Sequence, residues 1–284
     1  MDSIIKEIES ICKNSDKKKM LNDTNSYEVM YQLSKAREFL LDWYEFQTDG
    51  CLLEIGGGCG SLSRMFARKL RKIVSLEEKQ EYAAINRRRN EKEKNLSVLV
   101  GKVDSVSIKE KFDYVTLIGT LEEASLYIDE ECSDRMLLEW IRKNALKDEG
   151  KLILAIDNKT GMKYWAGAVE KYTQEAFGGI NNKTEMYNKK MYSKQQVIKL
   201  LKETGYGEIQ CYYPMPDYRF PTVIYSDDFL PQVGELQNLN KDYYPNSYRM
   251  FEESLAYDTV CEDGEFPYFA NSILIVANTM ICEE

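Results

Sequence analysis

The chain contains no histidine. That absence removes every Ser-His-Asp triad, every Cys-His dyad and every histidine metal site, so acid–base chemistry falls to carboxylates, lysine, tyrosine or cysteine. Long apolar runs are missing too. The opening Met1-Asp2-Ser3-Ile4-Ile5-Lys6-Glu7 places charges where a signal peptide needs an apolar core. The expectation is a soluble, cytoplasmic chain without membrane insertion. The cysteines (Cys12, Cys51, Cys59, Cys132, Cys211, Cys261 and Cys282) show no C-x-x-C spacing, and their odd number suits reduced thiols rather than a complete disulfide framework. Nor is there an excess of positive charge. With 38 Lys and Arg against 47 Asp and Glu, the formal charge is −9, which disfavours a nucleic-acid partner held by phosphate neutralisation.

What is present reads as a globular chain of 284 residues, 43% hydrophobic, long enough to bury a sizeable core. Residues 1–49 read as an N-terminal helical extension. Ser26 is placed to cap a helix from Tyr27 through Phe46, with Val29, Met30, Leu33, Ala36, Leu40, Leu41 and Trp43 at mostly helical spacing before the Asp49-Gly50 turn. A single domain then spans 50–284. Strands are expected at 51–55, 72–76, 96–100, 112–118 and 151–156, alternating with helices at 62–70, 79–93 and 135–145. That rhythm predicts an α/β fold, a parallel sheet with helices on both faces. Two polar segments interrupt it, at about 157–190 and 214–267; the second carries prolines and dense tyrosines. Segments of that length suit lids or binding loops. Between them Ser193 caps a helix to about Thr204, and Glu208 to Tyr213 and Ser272 to Ala277 read as two more strands.

The stretch Leu52-Leu53-Glu54-Ile55-Gly56-Gly57-Gly58-Cys59-Gly60 delivers a glycine-rich turn from a strand into a helix. Such a turn sets backbone N–H groups beside the crevice at the carboxyl ends of the strands, where a nucleoside-bearing ligand binds. A dinucleotide fingerprint would need glycine at 61, and Ser61 stands there, which argues against a nicotinamide-dependent oxidoreductase. The pattern is Glu54-x-Gly56-x-Gly58-x-Gly60, followed after a helix by a strand ending in Glu77.

With that order of elements the chain resembles the class I S-adenosylmethionine-dependent methyltransferases, over about half its length. The resemblance implies a seven-stranded Rossmann-like sheet, closed by 208–213 and 272–277 as an antiparallel pair, and S-adenosylmethionine as cofactor. Glu77 would accept both ribose hydroxyls, Gly56, Gly58 and Gly60 would let the backbone approach, Glu54 would face the ammonium end, and Asp104 the adenine amino group. Gly119 would complete the pocket after the fourth strand. Plainer readings exist for each: a bare turn, a solvated strand-end charge at Glu77, a turn start at Asp104.

Candidates at the reacting centre follow the fourth and fifth strands: Glu122, Asp157 and Asn158. The Asn/Asp-Pro-Pro-Tyr tetrad of nucleobase and amide N-methylation is absent from both loops. That disfavours N-methylation of nucleobases or amides and leaves the choice between a hydroxyl and a carboxylate oxygen. A water-like hydroxyl has a pKa of about 15.7 and needs a base or metal, whereas a terminal carboxylate, at about 3.3 to 3.7, arrives ionised. Further segments resemble bacterial methyltransferases of glycan-assembly and lanthipeptide clusters: Tyr31-Gln32-Leu33-Ser34, Asp42-Trp43-Tyr44, Ala155-Ile156-Asp157-Asn158-Lys159, Tyr164-Trp165-Ala166-Gly167 and Tyr213-Pro214-Met215-Pro216-Asp217-Tyr218-Arg219-Phe220-Pro221. Relatives often carry histidine where Gln32 stands, which weakens the sugar-hydroxyl alternative. The lead expectation is O-methylation of a carboxylate, such as the C-terminus of a ribosomally made peptide. The alternatives are a glycan hydroxyl and a non-catalytic cofactor-binding regulator. Tyr31 and Tyr213 are candidate acceptor contacts, and Arg219 or Lys163 would orient the carboxylate. Arg87-Arg88-Arg89 reads as a solvated helix end favouring the helix dipole. Nothing in the sequence bears on oligomeric state.

Overall fold

Strand β1 (Cys51–Ile55) is buried along its whole length, because it lies in the middle of a sheet covered on both faces. The structure, a computed structural model, describes residues 2–13, 17–24, 26–108, 110–129, 131–238 and 249–279. Cys282 and the centre of the second insertion, 239–248, lie outside the described residues. Around β1 stand β2 (Lys72–Glu77), β3 (Leu96–Val100), β4 (Phe112–Ile118) and β5 (Leu146–Asp157), all parallel. Three antiparallel strands complete the sheet: β6 (Tyr206–Met215), β7 (Val223–Ser226) and β8 (Ser272–Thr279). The order is β3-β2-β1-β4-β5-β8-β6-β7. It reverses direction between β1 and β4, which opens a crevice at the carboxyl ends of those strands.

Alternation along each strand divides the apolar side chains between two cores. Leu53, Ile55, Leu76, Leu117 and Leu154 face one side, beneath α6 (Ser133–Trp140) and α8 (Lys194–Glu203). Leu52, Ile73, Tyr114, Ile153 and Leu274 face the other, beneath α4 (Ser63–Lys69) together with Leu40 and Leu41. Each such side chain, fully buried, contributes about 2 kcal/mol. A third, smaller cluster docks the N-terminal extension. Ile8 and Ile11 of α1 (Asp2–Lys13) and Val29 and Leu33 of α3 (Tyr27–Leu33) pack on Cys59 and on Ile85 of α5 (Gln80–Arg89).

Three expectations are revised. The helix from Tyr27 to Phe46 is broken at Ser34, whose backbone is extended and whose hydroxyl accepts from Ala36 N–H at 3.2 Å; the chain restarts as a 3₁₀ turn over Lys35–Leu40. A serine that satisfies nearby N–H groups by its own side chain competes with helix continuation. The sheet has eight strands, because Val223–Ser226 of the second insertion pairs with the edge of β6 and covers its open hydrogen-bonding groups. Arg89 is not a solvated helix end. Its guanidinium donates to the carbonyls of Gln32 and Cys59 at 2.7 Å and of Leu33 at 3.3 Å, tying α3 to the glycine segment. Among the described residues no helix is long and apolar enough to cross a membrane.

Candidate active site

The glycine turn after β1 runs through left-handed backbone at Gly56 (φ +83°) and Gly58 (φ +53°), conformations that side chains resist. Space forbids a side chain as well. A Cβ on Gly56 would lie 2.5 Å from Thr120 Oγ1, and one on Gly58 2.7 Å from Gln32 Oε1. The turn aims Gly58 N–H at Glu77 Oε2 (2.8 Å), while Lys79 N–H donates to Oε1 (3.0 Å). Both oxygens of this buried carboxylate are thus fixed at the end of β2. Burial pushes its pKa above the usual range, against the opposing pull of the two backbone donors.

A cavity of about 460 Å³ opens at this point, within the range of small-molecule sites. Gly56, Gly58, Glu77 and Gly119 line its sheet side, and Tyr31 and Arg37 of the N-terminal extension cover it. Tyr218 enters from the second insertion and sits against Gly119, where a Cβ would meet its hydroxyl at 2.5 Å. Lys171 and Glu123, paired at 3.0 Å, also line it.

Other expected site residues are placed elsewhere. Glu54 is buried beneath the turn, accepts from the Ser63 hydroxyl, and faces a small separate recess. Gly60 packs against Asn86 and Asn90. Asp104 is exposed and, among the described residues, accepts only a long bond, 3.5 Å, from Asp129 N–H. Tyr213 is buried against Phe266 and bonded to Lys194 and Asp227. Asn158 donates to the carbonyls of Tyr268 (2.8 Å) and Ala270 (2.7 Å), which makes it a clamp between chain segments.

Asp157, Lys163 and Arg219 do come together, but around one another. Arg219 grips both oxygens of Asp157 and donates to Asp217 at 3.0 Å. Lys163 Nζ reaches Asp157 Oδ1 at 2.9 Å and Asp217 Oδ2 at 3.5 Å. All four are buried. Despite its burial, the two cations hold the Asp157 carboxyl far below the usual range, so it stays ionised and is a very weak base. Glu122 lies on the far side of this cluster. Its oxygens accept from Asp157 N–H (3.2 Å) and the Tyr172 hydroxyl (3.0 Å), and burial, with the Asp157 charge second, pushes its pKa up to about 7. Arg37, Asp217, Tyr172 and Lys171 went unread as site residues in the sequence, whereas Glu123 stood beside Glu122 as a possible base. Only the Asp-Tyr-Arg run at 217–219 carried a local signal.

Neither a protein-family model nor a curated protein sequence matches the chain. Solved structures do. A methyltransferase of Thermotoga maritima, described as S-adenosylmethionine-dependent and a possible histamine N-methyltransferase, superposes with TM-score 0.53 at 15% identity, over 92% of this chain and 97% of its own. Phosphoethanolamine N-methyltransferase 1 of Haemonchus contortus, solved with phosphoethanolamine and S-adenosylhomocysteine, gives TM-score 0.53 at 12% identity over 100% of this chain and 50% of its own. The cyclase SpnF gives 0.51 at 15% identity, over 86% of this chain and 80% of its own. The fold is therefore the class I methyltransferase fold, extended by an eighth strand. The presence of a cyclase among these neighbours shows that the fold alone does not name a reaction.

Proposed function

We propose that the chain is an S-adenosylmethionine-dependent O-methyltransferase whose acceptor is a carboxylate, such as the C-terminus of a ribosomally made peptide. The observation that carries the cofactor reading is Glu77, pinned by two backbone N–H groups at the lip of a cavity whose glycines leave room for a ligand. A fixed carboxylate there suits a ribose diol. When bound, the cofactor supplies an electrophilic methyl on sulfur, which an oxygen can take in line as the sulfur departs.

The surroundings support an acceptor that arrives already ionised. Asp157 is neutralised by Arg219 and Lys163, and Glu123 is paired with Lys171. Burial holds the Tyr218 phenol well above its ordinary pKa, so it keeps its proton. None of these three groups is thereby set to strip a proton from a sugar hydroxyl, and a carboxylate needs none removed. Tyr31 and Tyr218 already carry guanidinium groups on their faces, from Arg37 at 3.8 Å and Arg219 at 4.4 Å, which disfavours a cationic amine acceptor. The Tyr218 hydroxyl, beside Gly119, can donate to the acceptor oxygen.

Calorimetric titration of S-adenosylmethionine into the wild type and Glu77→Ala tests the cofactor reading. Submillimolar binding to the wild type, weakened by about 30-fold or more in the variant, is expected, since hydrogen bonds to a charged group contribute about 1.5 to 3 kcal/mol. No binding to the wild type would end the methyltransferase reading. Mass spectrometry of peptides with free and amidated C-termini then tests the acceptor: methylation of the free acids alone is expected, and methylation of a glycan hydroxyl instead would replace the carboxylate.

A further inference from the structure

Arg37 lies in the 3₁₀ turn that follows the break at Ser34, 6% exposed, and lines both the main cavity and the small recess behind Gly56. Its guanidinium makes three hydrogen bonds, from Nη1 to Ser61 Oγ (2.7 Å) and the Tyr31 carbonyl (3.4 Å), and from Nη2 to the Tyr31 hydroxyl (3.0 Å). A guanidinium has five N–H donors, so two remain. One of them is Nε–H, a buried donor with no acceptor among the described residues. No carboxylate stands within ion-pair distance of Arg37 among the described residues, although Arg219 beside the same cavity has two. The nearest acid across the recess, Glu54, is turned to the Ser63 hydroxyl. A buried cation whose nearest counter-charge, Glu54, stands beyond contact distance, and which lacks one hydrogen-bond acceptor and faces a cavity, is set to take an incoming anion.

We infer that Arg37 is a carboxylate-binding site, and that the carboxylate is that of the cofactor's amino-acid tail; this rests on the cofactor reading above. Two sources of carboxylate could enter this cavity, the cofactor and the acceptor. Arg37 is anchored to Ser61 of the glycine segment and borders Gly56. It therefore belongs to the side of the cavity along which the tail must run if Glu77 holds the ribose. A guanidinium close to a sulfonium would repel it, and the tail carboxylate between them offsets that repulsion. Arg37 is pre-organised for the task by stacking on Tyr31 at 3.8 Å.

The test is calorimetry on the full chain with S-adenosylhomocysteine, which has the tail, and 5′-methylthioadenosine, which lacks it. Arg37→Gln is expected to weaken S-adenosylhomocysteine about 10- to 100-fold while leaving methylthioadenosine within threefold of wild type, which also shows that the pocket remains folded. Arg37→Lys is expected to recover part of the loss. Equal S-adenosylhomocysteine affinity in wild type and Arg37→Gln would overturn the assignment. In protein saturated with S-adenosylhomocysteine, loss of N-acetylalanine binding but not of its amide in that variant, with cofactor affinity intact, would move the site to the acceptor and likewise overturn it. If the wild type binds neither nucleoside, the cofactor reading itself fails.

Discussion

Glu122 shows how one residue's environment sets its chemistry. Both of its oxygens face donors, yet burial beside the ionised Asp157 raises its pKa from 4.5 to about 7. A carboxyl whose folded pKa is raised adds stability that is fully present below its unfolded value and is lost as pH climbs through the folded one. The window is therefore about 4.5 to 7, and ionisation costs on the order of 3 kcal/mol by its end. Glu122→Gln removes that slope. Thermal unfolding should show the variant more stable than wild type at pH 8, by about 2 to 3 kcal/mol, with the gap closing at pH 5; a constant gap would contradict the assignment. Gly119 makes the complementary point, since its φ of +69° and the Tyr218 hydroxyl both oppose a side chain. Gly119→Ala should lose about 1 to 3 kcal/mol of stability and weaken S-adenosylmethionine binding, read by denaturant titration and calorimetry.

At the scale of elements, the N-terminal extension is held by a small apolar cluster and by Arg89. The helical period located residues 27–33 well, because α3 buries one face, but it ran the helix on through Ser34. The actual break turns Lys35–Leu40 into a 3₁₀ segment and carries Arg37 to the cavity. No spacing rule marks that outcome, since the apolar residues after Ser34 fit either path. Arg89 was equally illegible, because a basic residue in the last turn of a helix is expected in water and its carbonyl partners lie 30 to 57 positions away. Arg89→Ala should loosen the extension by about 2 kcal/mol. Hydrogen exchange of α3 amides should speed up while the strands of the sheet keep their protection.

At the scale of the whole molecule, Asp157 joins the end of the sheet to both insertions. Lys163 comes from the first, and Arg219 with Asp217 from the second. Removing the central acid leaves two buried cations to share Asp217 alone, and breaking a buried pair in this way typically costs about 3 to 5 kcal/mol. Asp157→Ala is therefore expected to lower the denaturation midpoint far more than Asp104→Ala, whose exposed side chain receives only one long bond among the described residues. Equal midpoints for the two variants would show that the cluster does not hold the insertions.

Sequence alone determined the alternation of strands and helices, the glycine turn after β1 and the acid that ends β2. Each is written in local periodicity or turn chemistry, which act over a few residues. Tertiary structure decided the rest: the eighth strand on the β6 edge, the withdrawal of Asp104 and Tyr213 from the cavity, the capture of Arg219 by an acid 62 positions away, and the unfilled Nε–H of Arg37 among the described residues. Charge pairing and desolvation depend on which distant segments meet in space, and no local pattern records that.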